Sequence, residues 1–112
     1  MSATDELTAR IRSHVSMDPR VTEQRMFGGI CFLLNGRILV AARRSGTLLV
    51  QCGAENAALA TAEPGVTHMM MRGKPTPNFV DVEDGLVETD EGLTRWIDLA
   101  ERYVGSLPPK EK

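Results

Sequence analysis

The sequence predicts an α+β domain in which helices pack on a five-stranded, mainly antiparallel sheet. Asn35-Gly36 and Ser45-Gly46 separate three apolar runs, and such turn dipeptides between apolar runs predict a three-stranded meander. Apolar residues recur with helical spacing near both ends of the chain. A length of 112 residues and a hydrophobic content of 42% are those of one globular domain.

The first half of the chain is predicted to be one helix followed by the meander. The helix covers residues 4–16, where Leu7, Ile11 and Val15 form an apolar stripe. The predicted strands of the meander are 25–34, 37–44 and 47–53. Gly28-Gly29 lies inside the first of them, and glycines there predict a bulge or the close approach of another backbone.

The second half completes the order α-β-β-β-α-β-β-α. An alanine-rich helix is predicted over residues 54–62, a strand over 66–71 and an edge strand over 79–83. Pro75 and Pro77 predict a loop between these strands. Asp90 is predicted to cap the last helix, which Gly105 and Pro108 end. The domain is expected to occupy residues 1–112, with its core at about 5–107 and a flexible tail at 108–112.

The turns also predict which residues face each other across the sheet. Two-residue turns pair Cys31 with Val40 and Leu39 with Cys52. The two cysteines then lie on opposite faces and roughly 10 Å apart, beyond disulfide reach. One predicted face carries Ile30, Phe32, Leu34, Leu39, Ala41, Leu48, Val50 and Cys52. The other carries Cys31, Leu33, Ile38, Val40, Ala42 and Leu49. Since both are apolar, either helices cover both faces or one face is open to a partner.

Charge is distributed unevenly. The formal net charge is −2, whereas residues 20–77 hold seven basic and three acidic side chains and residues 78–112 hold four and nine. A basic middle and an acidic end predict internal complementarity. One cluster in the basic part is a candidate cationic rim for nucleic acid or an acidic protein; its residues are Arg43, Arg44, Arg72 and Lys74. Solvated arginines are the alternative interpretation.

No residue pattern predicts catalysis, a cofactor or a metal. His14, His68 and the two cysteines have no metal-ligand spacing. "MRGKPT" lacks both the first glycine and the final Ser/Thr of a phosphate-binding loop. Met69-Met70-Met71 is predicted to pack into two core layers, because Met70 points away from the other two on a strand.

Three segments carry a family resemblance: "RMFGGICFLLNGRILVAA", "HMMMRGKPTPNFVDV" and "GLTRWIDLAERYVGSLPPK". Over about residues 5–109 the chain resembles the N-terminal domain of the TfoX/Sxy family. The most specific elements are Met26, Phe27, Gly28 and Gly29 leading into the hairpin, with Gly36 at its turn. The resemblance implies a two-layer α+β fold similar to secretion-chaperone-like domains.

The resemblance also implies a role. Family members regulate natural competence together with the cyclic-AMP receptor protein at promoters, as longer proteins with a second, helical C-terminal domain. Because this sequence ends at residue 112, a stand-alone N-terminal domain is expected.

The favoured hypothesis is a non-enzymatic interaction or regulatory domain that associates with itself or with a protein, such as a transcription regulator. The start of the chain has no basic leader, and no apolar run approaches the roughly 18 residues of a membrane span, so the cytoplasm is the expected location. The alternatives are a nucleic-acid-associated regulator that uses the cationic rim, and a small ligand-binding protein or enzyme whose pocket the sequence does not reveal.

Overall fold

A computed structural model describes residues 3–26, 29–43 and 46–108. The chain is α+β, as predicted. Its helices and strands are α1 Ala3–Val15, β1 Val21–Met26, β2 Gly29–Leu34, β3 Arg37–Ala42, β4 Leu48–Gln51, α2 Ala54–Ala60, β5 Val66–Met71, β6 Lys74–Val82 and α3 Asp90–Gly105, with a short 3-10 helix at Asp84–Val87. No helix in these ranges is long and apolar enough to cross a membrane. Phe27, Gly28, Arg44, Ser45 and the predicted tail residues 109–112 lie outside the described residues.

The strands form one antiparallel sheet in the order β1-β2-β3-β4-β6-β5. It has six strands rather than the predicted five, because Val21–Met26 forms an additional strand, and the predicted strand 25–34 included only its last two residues. β1 folds back on β2, with Met26 paired to Gly29. A Cβ atom on Gly29 would collide with the carbonyl oxygen of Ala42. The close backbone approach predicted for the glycine pair is therefore confirmed at Gly29.

The predicted loop over residues 72–78 is wrong. Arg72 and Gly73 form a two-residue turn with φ of 53° and 79°, and Met71 pairs with Lys74 across it. β6 then runs through both prolines. A proline lacks the N–H that a central strand needs, but β4 pairs with β6 only from Phe79 onward, so the proline segment has a strand on one side only. The predicted edge strand is also wrong, since β6 lies between β4 and β5.

A bulge in β3 changes the predicted register. The prediction is confirmed at Leu33–Ile38, next to the turn, but Phe32 pairs with Val40 and Cys31 with Ala41. One additional residue on β3 therefore places both Leu39 and Val40 in the main core. Beyond it the predicted faces exchange: Ala42 joins the main core and Ala41 joins Cys31. The second turn is shifted as well, because Val40 pairs with Val50 rather than Gln51.

All three helices contribute to one large core on one face of the sheet. α1 contributes Ile11, α2 contributes Ala57 and α3 contributes Trp96, each with no exposed surface. α3 begins where Thr89, rather than the predicted Asp90, accepts a hydrogen bond from the Gly92 N–H at 3.0 Å. This packing fixes the sheet and leaves its opposite face for a separate, smaller cluster.

Candidate interaction surface

The second face of the sheet carries an apolar cluster of its own. Its buried centre consists of Cys31, Ala41, Leu49 and Met69. Partly exposed side chains pack around that centre: Met26, Leu33, Ile38 and Phe79. In the described part of the chain no helical residue joins this cluster. The surface formed by these eight residues is the helix-free face.

Strand register explains why these residues gather. Directly paired residues of an antiparallel sheet lie on the same side. One such row crosses all six strands and reads Gln24, Cys31, Ala41, Leu49, Asp81 and Thr67. Cys31, Ala41 and Leu49 in the middle of this row are apolar. The residues at its two ends are polar: Gln24 at one end, and Asp81 and Thr67 at the other. The bulge in β3 matters here, since it turns Ala41 toward this side.

An ion pair lies at the border of the helix-free face. Arg43 Nη1 donates to both carboxylate oxygens of Asp81, at 2.8 and 3.0 Å. The Thr4 hydroxyl donates to the Arg43 carbonyl oxygen at 2.7 Å, which also holds this segment against α1. A basic residue of the middle segment thus neutralises an acidic one of the end segment, as the charge distribution predicted.

The residues of the predicted cationic rim are placed far apart where the structure describes them. Arg43 is paired with Asp81, and Arg44 lies outside the described residues. Arg72 and Lys74 are exposed at the β5–β6 turn. Because Lys74 and Val82 are the two ends of β6, the turn lies roughly 25 Å from the Arg43 end of the sheet. Nucleic-acid contact by these residues stays a prediction.

The three methionines of β5 differ in burial. Met69 is buried in the helix-free cluster, whereas Met70 is 56% and Met71 44% exposed. The prediction that all three pack into a core is therefore wrong for the last two. Strand alternation alone does not predict the exposure of Met70 and Met71, because that exposure depends on β5 being the outermost strand.

A cleft of about 370 Å³ lies between α2 and α3. The Arg95 guanidinium stacks over the Trp96 ring at 4.6 Å and also donates to Glu63 at 3.1 Å. Leu59 is 73% exposed at the edge of this cleft. Trp96 Nε1 is buried and has no hydrogen-bond partner in the described structure. The cleft combines cationic and apolar groups, and of its polar side chains Arg95 is paired with Glu63 and Asn56 donates to the Cys52 carbonyl oxygen.

One cluster of possible metal ligands joins α1 to α3. Ligand atoms of His14, Asp98 and Glu101 all lie within 4.8 Å of one another, and His14 Nε2 is 4.0 Å from Asp98 Oδ1. Burial, and then the charge of Asp98, raises the pKa of Glu101. As a possible metal ligand, His14 was considered from the sequence only together with His68 and the two cysteines. The carboxylates were missed because helix packing, and not local spacing, brings them together.

The two cysteines are free and buried. Cys31 belongs to the helix-free cluster and Cys52 to the main core, so their predicted location on opposite faces is confirmed. Burial raises the pKa of both thiols to about 11. Since the thiolate is the reactive form, neither is placed to act as a nucleophile.

Comparison with known proteins identifies a family. No curated protein and no solved structure matches the chain significantly. The family model for the TfoX N-terminal domain matches residues 14–103. This range includes all six strands of the sheet and most of α3. The chain belongs to the TfoX N-terminal domain family.

Proposed function

We propose that this chain is a non-enzymatic regulatory domain that binds a protein partner through its helix-free face. Its setting is the cytoplasm, where the two buried cysteines stay reduced. Membership in the TfoX N-terminal domain family supports a transcription regulator as the partner. The cyclic-AMP receptor protein, with which family members act, is the first candidate.

One observation carries this proposal: large apolar side chains remain partly exposed on a sheet face without helices. An antiparallel sheet that faces only water normally presents polar residues there. Here Leu33, Ile38 and Phe79 surround a fully buried centre. A compact apolar centre with a polar border is the usual composition of a protein–protein contact.

The border supplies the polar part. Gln24 and Thr67 end the row of paired residues, and Asp81 of the same row forms an ion pair with Arg43 that adds a fixed dipole. These groups can hydrogen-bond a partner and orient it, while burial of the partly exposed apolar side chains around the centre supplies most of the affinity.

The absence of a catalytic set among the described residues supports a role without chemistry of its own. The thiols are buried with raised pKa values. His14 lies between two carboxylates at the α1–α3 junction, and the described contacts pair it with no serine, threonine or cysteine nucleophile.

The test titrates purified cyclic-AMP receptor protein against the full chain and its variants by calorimetry. Ile38→Lys should weaken binding by at least about tenfold, because a charge among the partly exposed apolar side chains of this face must be desolvated. Leu59→Glu is the matched control, since Leu59 is exposed on the helical side of the molecule. Circular dichroism checks that both variants fold.

Two outcomes contradict the proposal. The first is equal affinity for wild type and Ile38→Lys, which places the contact elsewhere. The second is loss of binding in Leu59→Glu with retention in Ile38→Lys, which would assign docking to the α2–α3 side. If the cyclic-AMP receptor protein does not bind at all, the same variants are compared by quantitative capture from cytoplasm. If a protein is captured by wild type and Leu59→Glu but not by Ile38→Lys, the helix-free face remains the proposed binding surface and that protein replaces the cyclic-AMP receptor protein as the proposed partner.

A further inference from the structure

We propose that β5 is a self-association edge: two copies of the chain pair their β5 strands antiparallel around a two-fold axis and form one continuous sheet. This goes beyond the docking role of the helix-free face and does not depend on it. The occupant of the edge is a second copy of this chain. The argument rests on the composition of β5, on its backbone geometry and on charge complementarity.

The two edges of the sheet differ in composition. β1 and β5 are the outermost strands. β1 contains Glu23 and Arg25, and Glu23 is held by Arg12 through two hydrogen bonds of 2.6 and 2.7 Å. β5 contains no acidic residue, no lysine, no arginine and no proline, and it exposes Met70 and Met71. Edge strands that stay unpaired are usually protected by charge or proline. β5 has neither protection.

The backbone of β5 is oriented for such pairing. The Glu83 N–H donates to the Gly65 carbonyl at 2.9 Å, so Gly65 directs this group toward β6. Hydrogen-bonding groups of an antiparallel strand alternate in direction. His68 and Met70 therefore direct theirs outward, where no strand of the described structure pairs with them, whereas the Val66 N–H donates to the Glu63 carbonyl oxygen at 3.2 Å. Two-fold registers centred on His68 or on Met69 use these outward groups in both copies.

Both registers create the same pair of charge contacts. Gly65 lies against Glu83, because a Cβ built on Gly65 would be 2.5 Å from the Glu83 carboxyl carbon. Antiparallel pairing brings the exposed Arg72 at the far end of one β5 within about one residue of Gly65 of the second copy. Arg72 then meets Glu83 of the second copy, and symmetry repeats the contact. An unrelated extended peptide has no reason to carry this matched pair, which favours a second copy.

The expected dimer is reversible. A single six-residue strand on each side forms an interface at the small end of specific contacts. We therefore expect a monomer–dimer equilibrium that depends on protein concentration, not an obligate dimer.

The experiment is sedimentation equilibrium of the full chain from about 10 μM to 1 mM, the range in which interfaces of this size associate. R72E and E83R should each weaken dimerisation by about tenfold, because each replaces two attractive contacts with two repulsive ones. The double variant R72E/E83R should restore it. M70K, a charge on the edge, should abolish it. K74E is the control, since Lys74 lies across the same turn on β6.

Amide hydrogen exchange gives a second, independent readout. The N–H groups of His68 and Met70 should become protected as concentration rises. The N–H of Thr67, which is directed toward β6, and the N–H of Val66, which donates to Glu63, should not change. A monomer at every concentration overturns the proposal. So does a dimer that M70K leaves intact, or one that the double variant fails to restore. None of these outcomes alters the docking test, in which Ile38→Lys leaves β5 unchanged.

Discussion

Arg43 and Asp81 join β3 to β6 across the intervening strand β4. Both side chains are mostly buried, with 30% and 21% of their surface exposed. The contact closes the end of the sheet at which the β3–β4 turn lies. An ion pair of this burial differs from a surface pair, because removal of one partner leaves the other charge partly desolvated.

Loss of Asp81 should therefore destabilise the fold. We expect Asp81→Ala to lower the free energy of unfolding by about 1–2 kcal/mol, measured by urea titration. The double variant Asp81→Ala/Arg43→Ala should cost less than the sum of the single variants, because they share one contact. Arg20→Ala is the control: Arg20 pairs locally with Asp18 and is 50% exposed, so its loss should destabilise the fold less than the loss of Asp81 does. Additive single variants would contradict a coupled pair.

Glu101 should make stability depend on pH. Burial and the charge of Asp98 raise its pKa above the ordinary 4.5, against smaller opposing effects of His14 and Arg20. The folded state then holds the proton more tightly than the unfolded state. The contribution of this group to stability is greatest below about pH 4.5 and declines as pH rises through the folded pKa.

Glu101→Gln removes the charge that is costly at neutral pH. The variant should be more stable than wild type at pH 7, and the difference should vanish in acid, measured by thermal unfolding across the pH range. Glu91→Gln is the control: Glu91 is an exposed carboxylate in the first turn of the same helix, where a negative charge is favourable, so this variant should not be more stable than wild type at pH 7. A Glu101→Gln variant that is less stable at neutral pH would show that the carboxylate is stabilising in the α1–α3 junction.

The two thiols should be unreactive in the folded protein. Cys31 and Cys52 are fully buried, and burial raises the pKa of each to about 11, so the thiolate is scarce even in mildly alkaline buffer. A disulfide-exchange reagent should therefore modify both only at the rate of unfolding, and both should react at once in denaturant. Rapid native modification of one cysteine would show that its face of the sheet opens without global unfolding.

Much of the fold follows from local sequence signals, and the errors have definite physical causes. Asn35-Gly36 correctly predicts the hairpin of β2 and β3, and the apolar spacing locates α1 and α3 within one or two residues. The bulge at Leu39 left no local signal, since a run of apolar residues reads the same in either register. The proline segment of β6 is wrongly predicted as a loop. A strand accepts prolines there because β4 does not extend beside it, and the sequence gives no signal for where β4 ends.

The candidate surface, like the fold, is only partly predictable from local sequence signals. Apolar residues on both faces are visible in the sequence, and they predict that helices cover both faces or that one face is open to a partner. Which residues occupy that face depended on the bulge, and so Ala41 and Val40 were exchanged. The free edge of β5 depended on the strand order, in which β6 returns between β4 and β5. Such an order is a property of the whole packed chain and has no local pattern.

Gly53 and Gly73 offer a matched test of how the β4–α2 junction is packed. Both have positive φ, at 87° and 79°, so alanine is strained at either position. A Cβ on Gly53 would come within 2.7 Å of the Tyr103 ring, whereas one on Gly73 would meet nothing within 4 Å. Gly73→Ala should therefore cost about 1 kcal/mol and Gly53→Ala about 2–4 kcal/mol in urea unfolding. Combining Gly53→Ala with Tyr103→Ala should recover the steric part, because the ring is then absent. Equal costs for the two glycine variants would mean that α3 moves away from Gly53 without penalty, and the close contact between α3 and the β4–α2 junction would be wrong.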